Sequence, residues 1–178
     1  MKILDNIKTK FAVKKINKYL KIQKRQVVQT SFAQAKSIGI LYANTQNQNL
    51  DYVIKLYNEL LKSGKRVSVL AFFPNKIENI STQINTISLK DFSLFCNPKS
   101  EIINNFIEDK FDLFINLDLG NNIILQYLSL LSNAKFKTGS YNDLNIKILD
   151  LMLNLNTKLS IENLIEQLKI YTNQLIKS

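Results

Sequence analysis

The chain has 178 residues, 46 % of them hydrophobic, with 24 Lys and Arg against 14 Asp and Glu, one Cys, no His and no Trp. That length gives one domain with a sizeable core, and the hydrophobic content excludes wholesale disorder. Without His there is no Ser-His-Asp triad, no Cys-His dyad and no imidazole metal ligand, while a lone Cys can neither close an internal disulfide nor build a thiolate zinc site, so a reducing compartment is the expected setting.

The charge sits at the start of the chain. Residues 1–25 hold nine cations against Asp5, a net +8, and the other 153 residues carry +2. Residues 12–27 have helical period, with Ala12, Val13, Ile16, Leu20 and Val27 on one face and Lys14, Lys15, Lys18, Lys21 and Arg25 on the other. Ile3, Leu4, Ile7 and Phe11 form a stripe displaced in phase, which predicts a bend near Phe11. Gln26 to Lys36 reads as a linker. The expected organisation is a basic amphipathic helix and linker over 1–35, followed by an α/β domain over 36–178. No apolar run approaches the roughly 20 residues of a spanning helix, and lysines interrupt any leader-like segment, so the expected location is the cytoplasm.

From Lys36 onward strands alternate with helices. Ser37–Ala43 is an apolar run typical of a strand buried on both faces. Asn49 can cap a helix carrying Leu50, Val53, Ile54, Tyr57, Leu60 and Leu61, and Gly64 stands where a helix-ending glycine belongs. Arg66–Phe73 is a second strand, closed by Pro74. Gln83–Leu89 reads as a third. Asn97-Pro98 then opens a helix with Ile102, Ile103, Phe106 and Ile107 inward. Phe111–Asp118 is a fourth strand, Asn121–Asn133 a very apolar helix, and Phe136–Tyr141 and Ile146–Leu153 two more strands. Ser160 caps a final amphipathic helix whose stripe runs from Ile161 to Ile176. This alternation predicts an α/β fold: a Rossmann-like three-layer sandwich with a mostly parallel sheet and an appended N-terminal basic helix.

Chemistry is sought first at the carboxyl ends of such strands. The loop Asn44-Thr45-Gln46-Asn47-Gln48-Asn49 has no glycine, and neither GxGxxG nor GxxxxGK[ST] occurs anywhere, so no phosphate cradle is expected there. Asp118, Gly120 and Asn121 join a strand to a helix N-terminus whose N–H groups can receive an anion. Gly139, Ser140, Tyr141 and Asp143 belong beside them, and Asp118 with Asp143 can form a carboxylate pair. The candidate ligand crevice is therefore Asn44, Thr45, Asp118, Gly120, Asn121, Gly139 and Ser140. Cys96 has no His partner and reads as core. No cofactor or metal is called for.

The basic N-terminal helix, SIGILY at 37–42, Lys90–Pro98 (KDFSLFCNP), FDLFINLD at 111–118, Ala134–Gly139 (AKFKTG) and Leu149–Leu153 (LDLML) give a resemblance over nearly the full chain. They resemble a domain-of-unknown-function family of small Bacteroidota proteins. Where those relatives carry Phe-Gly-Lys-Pro, this chain has Phe95-Cys96-Asn97-Pro98. The resemblance implies a shared fold and brings no activity. Phe111 to Tyr141 is also similar to the acceptor-side half of heptosyltransferase-type glycosyltransferases, which implies at most sugar or nucleotide binding.

The function expected from the sequence is thus non-enzymatic binding. The basic residues Lys10, Lys14, Lys15, Lys18, Lys21, Lys24 and Arg25 are the candidate anion-binding set, and RNA or the ribosome is the first partner considered. With only Arg25 and Arg66 among 24 cations, base-specific reading is not expected. The alternatives are a sugar- or nucleotide-binding protein using the crevice, a protein partner, and a peripheral membrane protein lying on an anionic surface.

Overall fold

A computed structural model describes residues 2–22, 25–44, 50–74, 84–155 and 160–175. Six strands, β1 (Ser37–Ala43), β2 (Arg66–Phe72), β3 (Asn85–Ile87), β4 (Leu113–Asn116), β5 (Phe136–Ser140) and β6 (Leu151–Leu153), form one sheet in the order β3-β2-β1-β4-β5-β6. Every pairing in that sheet is parallel. Five helices accompany it among the described residues: α1 (Lys2–Ile22), α2 (Leu50–Lys62), α3 (Glu101–Glu108), α4 (Ile123–Leu131) and α5 (Ile161–Gln174). The Rossmann-like class read from the sequence holds, with a sheet wholly rather than mostly parallel.

Period-two alternation sorts the side chains into two cores. Ile38, Ile40 and Tyr42 of β1 pack with Val53, Leu56 and Leu60 of α2 and with Leu164 and Leu168 of α5. Leu41 and Ala43 point the other way, to α1, α3 and α4. Gly39 lies on that second face because the Phe111 ring fills the space; a Cβ there would be 2.5 Å from the ring. Placing α2 on one face and α3 and α4 on the other is what right-handed crossovers require when the strand order reverses at β1 and β4. Several local signals act as the sequence predicts. Gly64 has φ +74, and the Gly64 and Lys65 N–H groups donate to the carbonyls of Leu61 and Leu60, closing α2 with a Schellman turn. Ser160 Oγ accepts from Asn163 N–H at the start of α5. Asn49 and Gln83 lie outside the described residues.

Four readings are corrected. The N-terminal helix runs unbroken from Lys2 to Ile22, without a bend at Phe11, and ends before Val27. Its packed face holds Ala12 and Ile16 with Phe11 and Leu20, whereas Val13 and Val27 are exposed. The helix expected at Asn97-Pro98 begins at Glu101, with Ser100 at its N-cap and Ile102 facing outward. The reason is non-local: Pro98 bridges Phe92, while Ser93 N–H donates to the Asn97 carbonyl and Lys99 N–H to that of Asp91. The expected strand Ile146–Leu153 is a 3₁₀ turn at Asn145–Lys147 followed by the short β6. Asn142 Oδ1 accepts from the N–H groups of Leu144 and Asn145, which coils the chain, and Ile148 and Leu149 both turn into the core instead of alternating.

A buried lysine closes α4. The final carbonyls of a helix lack partners within it. Lys137, on β5, is 1 % exposed, and its Nζ donates to the carbonyls of Ser129 at 2.6 Å and Leu130 at 3.3 Å. Burial pushes its ammonium down to about 7, Arg25 acts in the same direction, and Asp150 opposes. The unfolded chain titrates near the ordinary 10.5. Between pH about 7 and 10 the unfolded state therefore binds a proton that the native state does not, and stability rises with pH across that window. The gain is complete above the unfolded pKa and is lost as pH falls through about 7. Urea midpoints over this range should climb more steeply for the native sequence than for Lys137→Met. Identical pH profiles would contradict the assignment.

Candidate functional site

Two regions hold the predicted site residues. The first is the crevice at the carboxyl ends of β1 and β4, where the strand order reverses. Asn44 is half-buried, and its N–H donates to the Phe72 carbonyl at 2.9 Å. Thr45 lies outside the described residues. Asp118 is buried and fully engaged: Oδ1 accepts from Gly120 N–H at 3.1 Å and Oδ2 from Asn122 N–H at 2.8 Å. Burial pushes its carboxyl up to about 6 against those two bonds, which favour the charged form. Ser140 Oγ donates to the Asp118 carbonyl at 2.6 Å, and Asn116 Oδ1 accepts from Asp118 N–H at 2.9 Å. Asn122 Oδ1 accepts from the N–H groups of Ile124 and Leu125.

The anion at the start of α4 is thus the protein's own. Asp118 and the Asn122 cap take the amides that the sequence offers to an external ligand. Gly139 is enclosed as well, since a Cβ there would be 2.7 Å from the Asn116 carbonyl oxygen. Asp143 is exposed and lines a cleft together with the exposed Asn121. Among the described residues no group of three or more His, Cys, Asp or Glu is placed to hold a metal ion. Cys96 is buried, and burial pushes its thiol up to about 11, so it remains protonated.

The second region is α1, which packs along α4 and divides the seven basic candidates. Lys8, outside that set, reaches inward to the carbonyls of Leu89 at 2.6 Å and Phe92 at 3.0 Å. Lys15 bonds Asn97 Oδ1 and lies 5.7 Å from the centre of the Tyr127 ring, and burial pushes its ammonium down. Arg25 Nη2 donates to both carboxylate oxygens of Asp150, at 2.5 and 2.6 Å, and Nη1 to the carbonyls of Ala134 at 3.0 Å and Lys135 at 2.8 Å. Lys24 lies outside the described residues. Lys10, Lys14, Lys18 and Lys21 stay exposed, and none of the four ion pairs among the described residues involves them. At about 100° and 1.5 Å per residue they span roughly 80° of arc and about 16 Å of length. This is a single positive stripe facing outward.

The motifs that place these two regions extend over nearly the whole chain. Residues 8–175 match the model of a family of unknown function, DUF6913. The chain belongs to that family. DUF6913 is thereby the context for both the stripe and the crevice, in agreement with the full-length resemblance read from the sequence. No curated protein matches the chain. Among solved structures it is similar to a glycosyl transferase family 9 protein from Veillonella parvula DSM 2008, at 15 % identity and a TM-score of 0.45. That likeness covers 80 % of this chain and 43 % of the other, so the DUF6913 chain spans less than half of that protein. No helix among the described residues is long and apolar enough to cross a membrane.

Proposed function

We propose that this protein acts by binding rather than catalysis, docking on the phosphate backbone of RNA through the outward stripe of α1, with a large RNA-containing partner such as the ribosome as the most concrete case. One observation carries the reading: Lys10, Lys14, Lys18 and Lys21 form a continuous exposed cationic face, with no ion pair among the described residues, on a helix whose opposite side is already packed. Lysine ammoniums neutralise phosphates and release counterions without reading sequence. The stripe contains no Arg, the side chain best suited to bidentate base contacts, which favours binding without sequence preference. A membrane-surface helix needs its apolar face free to enter the interface. Here Ala12, Ile16, Phe11 and Leu20 are spent on the protein's own core, which favours RNA over lipid.

Capture of the tagged protein from lysate, with and without nuclease, tests the reading. RNA should co-purify, and partners should leave the resin once it is digested. Partners retained in full after digestion would contradict it.

A further inference from the structure

The corner between the start of α4 and the turn after β5 holds an open cleft of about 430 Å³, within the range of small-molecule sites. Gln126 of α4 forms part of its wall. The residue is 1 % exposed, yet its Oε1 has no hydrogen-bond partner among the described residues. Buried polar atoms are almost always paired, and an unpaired one costs stability. The other end of the amide is weakly held. Gln126 Nε2 donates to Asn142 Oδ1 at 3.3 Å, and that oxygen already accepts from Leu144 N–H at 3.1 Å and Asn145 N–H at 2.8 Å. A second buried oxygen without a partner among the described residues, Asn145 Oδ1, lies on the same turn. Of the two, Gln126 belongs to the cleft wall, and its Oε1 is an acceptor, so the group that would satisfy it is a donor.

The rest of the lining narrows the ligand. Among the described residues no Lys or Arg lines the cleft, Asp143 contributes a carboxylate, and the nearest helix-terminal amides are taken by Asp118 and Asn122. Phosphates, nucleotides and carboxylates would meet acceptors and a negative charge. Asn121 and Asp143 offer further acceptors to hydroxyl groups. The half-exposed Tyr141, with Ile123 and Leu144 also in the lining, provides an apolar surface. Hydroxyl donors around the rim of a puckered sugar ring, with an apolar C–H face to lie on the aromatic ring, match this combination.

We infer that this corner binds a neutral, hydroxyl-rich ring of the pyranose type. The site is remote in chemistry from the lysine stripe, and its standing does not depend on RNA binding. The test follows amide chemical shifts of the full chain titrated with glucose, galactose, mannose and N-acetylglucosamine, with spermidine and inorganic phosphate as comparison ligands. At least one sugar should shift residues 121–126 and 141–145 while the comparison ligands leave them still. Tyr141→Ala, a change at a half-exposed ring, should weaken that sugar by about tenfold, the loss typical of an aromatic anchor. Gln126→Leu should abolish the response and raise the melting temperature, because it removes the orphaned oxygen. No response to any of the sugars, an equal response to spermidine or phosphate, or a sugar response undiminished in both variants would overturn the inference.

Discussion

Reversing Lys14, Lys18 and Lys21 to Glu should abolish RNA association and leave the fold intact. The three side chains are exposed, lie within about 60° on one face of α1, and hold no ion pair among the described residues. Glu and Lys have similar helix propensities, so the helix itself tolerates the change. The stripe passes from four positive charges to one positive and three negative. With counterion release of about 0.7–0.9 per phosphate, four contacts supply between two and three orders of magnitude of affinity at about 0.15 M salt. The variant should lose at least that much in a filter-binding assay, with an unchanged melting temperature. Deleting residues 1–25 is a poorer experiment. It strips the α4 face of Ala12, Ile16, Phe11 and Leu20, and lost stability would obscure lost binding.

Arg25→Ala should do the reverse, lowering stability by about 2–4 kcal/mol while leaving the salt dependence of RNA binding unchanged. Complete burial of such a pair would put the loss at roughly 3–5 kcal/mol, and the partial exposure of both side chains reduces it. Arg25 ties the segment after α1 to the body by four hydrogen bonds, two of them to Asp150. Asp150 Oδ2 also accepts from Lys137 N–H at 2.7 Å, so the pair braces the start of β5. A lysine cannot reproduce the planar fork, and Arg25→Lys should recover only a minor part of the loss. Urea denaturation measures both variants. A fully stable Arg25→Ala protein that fails to bind RNA would instead place Arg25 in the interface.

These two predictions separate cations that look alike in the sequence. Within a run of net charge +8, nothing marks Arg25 or Lys15 as internal, because their partners Asp150 and Asn97 lie far along the chain. The helical period reveals an apolar stripe but not the packing arc, which widens to take in Lys8 and Lys15, whose stems cover apolar surface while their ammoniums reach polar groups. β1, Gly64 and Ser160 were legible since strand burial, a left-handed helix end and an N-cap are set within a few residues. Asn97-Pro98 carries the local signature of a helix start, and a bridge to Phe92 overrides it. Beside it Cys96 takes φ 57, a left-handed conformation suited to the glycine of the resembled sequences.

The crevice shows the same divide. Asp118 is recognisable as a polar residue at a strand end, but the amides nearest to it after the turn are those of Gly120 and Asn122, and it binds them. Gln126 is hidden in the sequence by the apolar helix around it. Its unpaired oxygen emerges only when β5 and the following turn are laid against α4.

The measurement that bears most directly on the lysine stripe is the salt dependence of RNA binding by the intact protein. Four phosphate contacts predict a slope of log affinity against log salt of about −2.8 to −3.6, a loss of roughly 50- to 150-fold between 50 and 200 mM. The Lys14, Lys18 and Lys21 charge-reversed protein should show no measurable binding from which to take a slope. A slope near zero for the intact protein, or RNA binding that survives charge reversal, would contradict the account.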